Sequence, residues 1–100
     1  MGRGQRDFID KRAHERVPVF RRTRAAGADG QPLSLVIVDL STNGLMARCD
    51  QGLSTGERLR VDLPGVGARS AVVCWSMGGR IGCEFDAPIS LESCMAIAGT

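Results

Sequence analysis

The sequence predicts a mainly β fold: a six-stranded antiparallel β-barrel with a flexible basic N-terminal arm and a short C-terminal α-helix. Two observations carry this. Six short stretches of strand character follow one another at close spacing, separated by Gly, Pro, Asn and Asp turns, and helical spacing appears only near the end. With 100 residues, 43% of them hydrophobic, the chain can bury one modest core. A small all-β chain manages its unpaired edges by closing. The interior of such a barrel is filled by its own side chains, so a ligand must bind on the outer face or at a rim.

Residues 1–9 are expected to be a flexible arm and residues 10–100 a single domain. Up to residue 15 there is no apolar periodicity beyond Phe8 and Ile9. Residues 17–24 read as the first strand, and Pro18 confines it to an edge or a strand start because proline donates no ladder hydrogen bond. Residues 26–32 are turn material around Asp29-Gly30. Residues 33–40 are nearly all apolar, as in a strand covered on both faces, and residues 44–49 form the next strand. After a loop with Gly52 and Gly56, residues 58–63 alternate strictly between charged and apolar, the signature of a half-buried strand. Pro64 to Gly67 is a turn, residues 69–77 a long strand, Gly78-Gly79 a two-residue hairpin turn and residues 80–85 the last strand. Pro88 ends the sheet. A helix is expected over residues 89–98, with Ser90 as N-cap, Glu92 beside the positive end of the dipole, and Ile89, Cys94, Ile97 and Ala98 as its apolar stripe.

The net charge of +2 is unevenly spread, since residues 1–24 hold eight of the thirteen basic residues against three acids. That points to an anionic partner. Twelve of the thirteen cations are arginine. A guanidinium pairs bidentately with phosphate and stacks on bases, which favours a nucleotide ligand over a generic charged tail. Cys49, Cys74, Cys83 and Cys94 form no C-x-x-C pair, and the lone His14 completes no metal-site spacing. The cysteines read as small hydrophobes in a reducing compartment. No apolar run approaches the roughly 20 residues of a membrane span, and no signal-peptide core is present, so a cytoplasmic location is expected. There is no carboxylate pair with a histidine, no Cys–His arrangement and no G-x-x-x-x-G-K-[ST] loop, so the sequence speaks for binding, not catalysis.

Two short motifs remain. Asp39-Leu40-Ser41-Thr42-Asn43-Gly44 lies at a strand corner, and taken alone Asp39 and Ser41 account for an Asx- or ST-type turn. Arg12-Ala13-His14-Glu15-Arg16 sets two arginines four apart ahead of the first strand, and taken alone it is a solvated face paired with Glu15 or Asp10. Together, in this order on a small barrel, they resemble the PilZ family of cyclic di-GMP receptors, whose pattern is R-x-x-x-R in an N-terminal loop and [D/N]-x-S-x-x-G at a strand corner. Arg16-Val17-Pro18-Val19 and the hairpin around Val72-Val73-Cys74-Trp75 and Arg80 to Phe85 extend the likeness over residues 10–98.

The resemblance implies cyclic di-GMP as ligand, with no cofactor, metal or catalytic residue. It implies Arg12 and Arg16 as guanidinium forks for phosphate or guanine, and Asp39 as an acceptor for the guanine N–H donors. Ser41 would bond the ligand or cap the turn, and Gly44 would allow close backbone approach and a positive φ. Asn43, Arg80 and Gly82 are flanking candidates. Lys11 sits where the family sets whether one dinucleotide or an intercalated pair binds. Trp75 is read as packing in preference to a base platform. The ligand would recruit the mobile arm onto the barrel and so change the surface seen by an unidentified protein effector, with motility, adhesion or polysaccharide output. Two other readings stay open: a ligand-free adaptor of the same fold, and a nucleic-acid-binding barrel. The second is disfavoured because the chain has no Tyr and only four aromatic residues to stack bases.

Overall fold

The computed structural model describes residues 16–99. The expected arm, with Lys11, Arg12 and His14, lies outside the described residues. The elements are β1 (Val17–Gly27), β2 (Pro32–Leu40), β3 (Gly44–Arg48), β4 (Arg58–Leu63), β5 (Gly67–Met77), β6 (Arg80–Phe85) and α1 (Leu91–Gly99). The strands close into an antiparallel barrel in the order β1-β2-β3-β6-β5-β4. Closure is made by Ala25↔Val61, Ala26↔Arg60 and Gly27↔Leu59. That pairing explains why β1 runs on through Gly27, into residues whose small side chains read locally as turn.

Alternation puts one face of each strand inside. Leu35, Ile37, Leu40, Ala47, Leu59, Val61, Ala71, Val73 and Ile81 are among the buried side chains that fill the interior, which leaves binding to the outer surface. Between β5 and β6, Gly78 and Gly79 both take left-handed φ, 61° and 79°, the type I′ turn whose twist matches that of the flanking strands. The helix starts at Leu91, directly after the expected cap. Ser90 is its cap: the Ser90 hydroxyl accepts the Ser93 N–H at 3.0 Å. Ile89, Cys94 and Ile97 seal the core beneath it.

All four cysteines are free; Cys49, Cys83 and Cys94 are buried and Cys74 is exposed. Burial pushes the Cys83 thiol up to about 12 and also raises that of Cys94. Only the thiolate is an efficient nucleophile. Iodoacetamide at neutral pH is therefore expected to modify Cys74 alone in the folded chain and all four cysteines after unfolding, as read by intact mass.

Three β-bulges break the period of two. Pro18 pairs with Asp39 and Arg21 with Ile37, so Val19 and Phe20 together oppose Val38. Ile37 pairs with Ala47 and Asp39 with Met46, so Val38 is an extra residue on β2. Val73 pairs with Cys83 and Trp75 with Gly82, so Cys74 is an extra residue on β5. A bulge re-aims the residues that follow it. Ile37 and Val73 are core residues, and an unbroken alternation would turn Asp39 and Trp75 inward after them. The extra residues Val38 and Cys74 turn both outward.

Candidate functional site

The re-aimed residues fall on one lateral row of the outer face, Asp39–Met46–Gly82–Trp75, each paired with the next. Three inter-strand steps of about 4.8 Å make this row about 14 Å wide. A cleft of about 200 Å³ lies over it, lined by Arg16, Asp39, Asn43, Cys74, Trp75 and Glu84 together with the corner residues Ser41 and Gly44 and with Gly82 of β6.

At one side of the cleft, Arg16 Nη1 donates to Asp39 Oδ1 at 3.0 Å. The arginine side chain is 61% exposed and the carboxylate 16%, so the acid is held by the barrel while its partner stands in solvent. At the other side the Trp75 indole lies over Gly82. A Cβ on Gly82 would meet indole Nε1 at 2.1 Å and Cε2 at 2.4 Å. The glycine is the seat of the ring, and Trp75, 37% exposed, keeps an open edge toward the cleft.

The corner between β2 and β3 is built by Ser41. Its hydroxyl accepts the N–H groups of Asn43 at 3.3 Å and Gly44 at 3.2 Å and donates to the Gly44 carbonyl at 3.3 Å. The Ser41 N–H also reaches that carbonyl at 2.8 Å. Of the two roles open to Ser41 in the sequence, the hydroxyl performs the cap. The corner is then tied to the following layer, with Phe85 N–H donating to Asn43 O at 2.7 Å and Ile89 N–H to Thr42 O at 2.8 Å. Ser41→Ala removes the cap and is expected to lower stability by about 1–2 kcal/mol, measured as a shift in the urea midpoint at constant slope.

Gly44 departs from expectation in one respect. Its φ is not in the left-handed region, so positive φ is not why a glycine stands there. Close approach is: an added Cβ would fall 2.0 Å from the Cys83 carbonyl oxygen. The approach is to β6 of the same chain.

The described part of the site thus brings together Arg16, Asp39, Ser41, Asn43, Gly44 and Gly82. Arg80 is paired with Arg48 and Met77 and does not line the cleft. Lys11 and Arg12 lie outside the described residues. Sequence reasoning missed Cys74, Trp75 and Glu84. For Trp75 a signal existed: counting back from the Gly78-Gly79 turn gives Met77↔Arg80, Ser76↔Ile81 and Trp75↔Gly82, an indole opposite a glycine.

Among the described residues no group of three His, Cys, Asp or Glu side chains is placed to hold a metal ion, and no helix is long and apolar enough to cross a membrane.

No curated protein sequence matches this chain. Solved structures that resemble it include two PilZ domains. The PilZ domain of CeSA from a cellulose-synthesizing bacterium is 22% identical with a TM-score of 0.60, covering 83% of this chain and 90% of that one. The PilZ domain of YcgR from Escherichia coli, solved with c-di-GMP, is 17% identical with a TM-score of 0.56, covering 84% and 83%. At these identities the likeness establishes the fold. The PilZ domain model itself matches residues 10–99, nearly the whole sequence, and the chain belongs to the PilZ domain family.

Proposed function

We propose that this chain is a non-enzymatic, cytoplasmic receptor for cyclic di-GMP that binds the dinucleotide in the cleft between Arg16–Asp39 and Trp75. One observation carries the reading. Arg16 and Asp39, one from each half of the paired motif and 23 residues apart, meet at 3.0 Å over the outer face of the barrel. Neither is needed there by the core. Asp39 is acceptor-only, which suits the N1–H and N2–H₂ donors of a guanine edge and offers nothing to the acceptor N1 of adenine. The exposed part of the Trp75 ring offers a purine an apolar contact, and Arg16 a fork for phosphate.

Charge adds a requirement. Arg16, Asp39 and Glu84 give the described cleft a formal charge of −1, while the ligand carries two phosphate charges. Further cations must come to the site, and Arg12 and Lys11 in the preceding arm are the nearest in sequence. Binding that draws these cations to the phosphates then alters the surface offered to an effector protein.

Calorimetric titration with cyclic di-GMP, cyclic di-AMP, GTP and a short oligonucleotide tests this. The expected result is saturable binding of cyclic di-GMP at roughly micromolar Kd or tighter, with cyclic di-AMP weaker by about 100-fold. Heat from the oligonucleotide and none from the dinucleotide would overturn the reading in favour of a nucleic-acid barrel.

A further inference from the structure

One strand step beyond the cleft floor runs a second lateral row. Arg22 pairs with Val36, Val36 with Arg48, Arg48 with Arg80, and Arg80 with Met77. Directly paired residues of antiparallel strands share a face, so Arg48 and Arg80 stand side by side on the outer surface of β3 and β6, with Arg22 of β1 on the same row across Val36 of β2. All three arginines are exposed, and the ion pairs among the described residues, Arg16–Asp39 and Arg58–Asp86, include none of them. Like charges directly opposite on a sheet are unfavourable, and Arg48 faces Arg80 with no acid between them. The fold gains nothing from this arrangement.

Apolar side chains flank the row. Met77 at its β5 end is 73% exposed. Phe20, two residues before Arg22 in the β1 bulge, is 74% exposed and held at φ 54°, a conformation that a bulky residue adopts only under strain. Beyond Arg22 the surface opens into a groove of about 880 Å³ lined by Arg22, Arg24, Pro32, Leu33, Ser34 and Asp50.

We infer that this row and groove form a docking surface for an acidic segment of a partner protein, separate from the dinucleotide cleft. Charge complementarity fixes the sign: Arg22, Arg24, Arg48 and Arg80 stand against Asp50 in the groove and Asp62 beside Arg24. The exposed Phe and Met fix the class, because Arg, Met and aromatic side chains together are the residues enriched in protein interfaces. A nucleic acid would want several stacking faces in succession, and Phe20 is the one aromatic ring among the described residues of this surface.

Fluorescence anisotropy of the full chain with a fluorescein-labelled 20-residue peptide tests the inference, the peptide carrying glutamates on one helical face and leucines beside them. Saturable binding is expected, weakened about fivefold or more by Arg48→Glu and abolished by Arg22→Glu with Arg48→Glu. Arg60→Glu makes the same charge change on β4 and should shift the Kd less than about twofold. All three variant chains are expected to bind cyclic di-GMP as the parent does, which separates this surface from the cleft. Equal weakening by Arg48→Glu and Arg60→Glu would overturn the inference, as would tighter binding of a duplex oligonucleotide of equal charge. Loss of dinucleotide binding in Arg48→Glu would also overturn it, by returning the row to the cleft.

Discussion

Gly44→Ala is expected to unfold the barrel or bring it close to unfolding, with or without ligand. The added Cβ would stand 2.0 Å from Cys83 O, 3.1 Å from Cys83 C and 3.2 Å from Glu84 Cα. All three are backbone atoms of β6, so no side-chain rotation relieves the clash. Relief requires β3 and β6 to separate where Gly44 pairs with Glu84, and that separation strains the Phe85–Asn43 and Ile89–Thr42 hydrogen bonds next to it. Overpacking a tight site costs about 1–3 kcal/mol even where side chains can adjust. With backbone on the other side the loss should be about 3 kcal/mol or more, a large share of the stability of a domain this small. If Gly44 served only to take a left-handed φ or to admit the ligand, the apo protein would lose about 1 kcal/mol or less. Guanidinium unfolding of ligand-free protein distinguishes the two, and a loss under 1 kcal/mol would refute the steric account.

Gly44 also marks where sequence reading stops. Asp-x-Ser-x-x-Gly is legible as a corner because turn chemistry is local: Ser41 caps it with its own hydroxyl, as the residue types suggest. What the glycine meets is not local, since Cys83 lies 39 positions on. The same division runs through the fold. Strands β4 and β6 match their expected bounds because alternation marks their ends, and the Ser90 cap follows from residue type alone. The extension of β1 to Gly27 depends on its meeting β4, and nothing in Ala25-Ala26-Gly27 announces that partner. The bulges at Val38 and Cys74 were hidden for a further reason. Each sits in an apolar run, where one extra residue leaves the hydrophobic pattern looking intact while it reverses the facing of whatever follows. Asp39 and Trp75 reach the surface through those two insertions. The motif therefore names Asp39 without explaining its orientation, and the sequence around Trp75 reads as packing, although its glycine partner follows from counting back along a two-residue hairpin.

The Arg16–Asp39 pair separates stability from binding. Arg16→Ala is expected to change the unfolding free energy by less than about 1 kcal/mol, because the arginine stands mostly in water and exposed pairs contribute little. Its effect on cyclic di-GMP should be far larger, at least about 100-fold in Kd, since the variant loses a phosphate fork and leaves an uncompensated carboxylate beside an anionic ligand. Asp39→Ala acts through a different part of the ligand. It removes the acceptor for guanine N–H donors while releasing Arg16 to the phosphates, so selectivity should fall more than affinity. The ratio of cyclic di-AMP to cyclic di-GMP Kd should drop toward one, and cyclic di-GMP itself should weaken less than in Arg16→Ala. Titrating both dinucleotides into the two single variants and the double variant closes a cycle, in which two contacting residues are expected to be non-additive. An equal loss for every cyclic dinucleotide in Asp39→Ala would show that the carboxylate serves only to position Arg16. Retention of full affinity in Arg16→Ala would remove the meeting of the two motif halves as the basis of recognition.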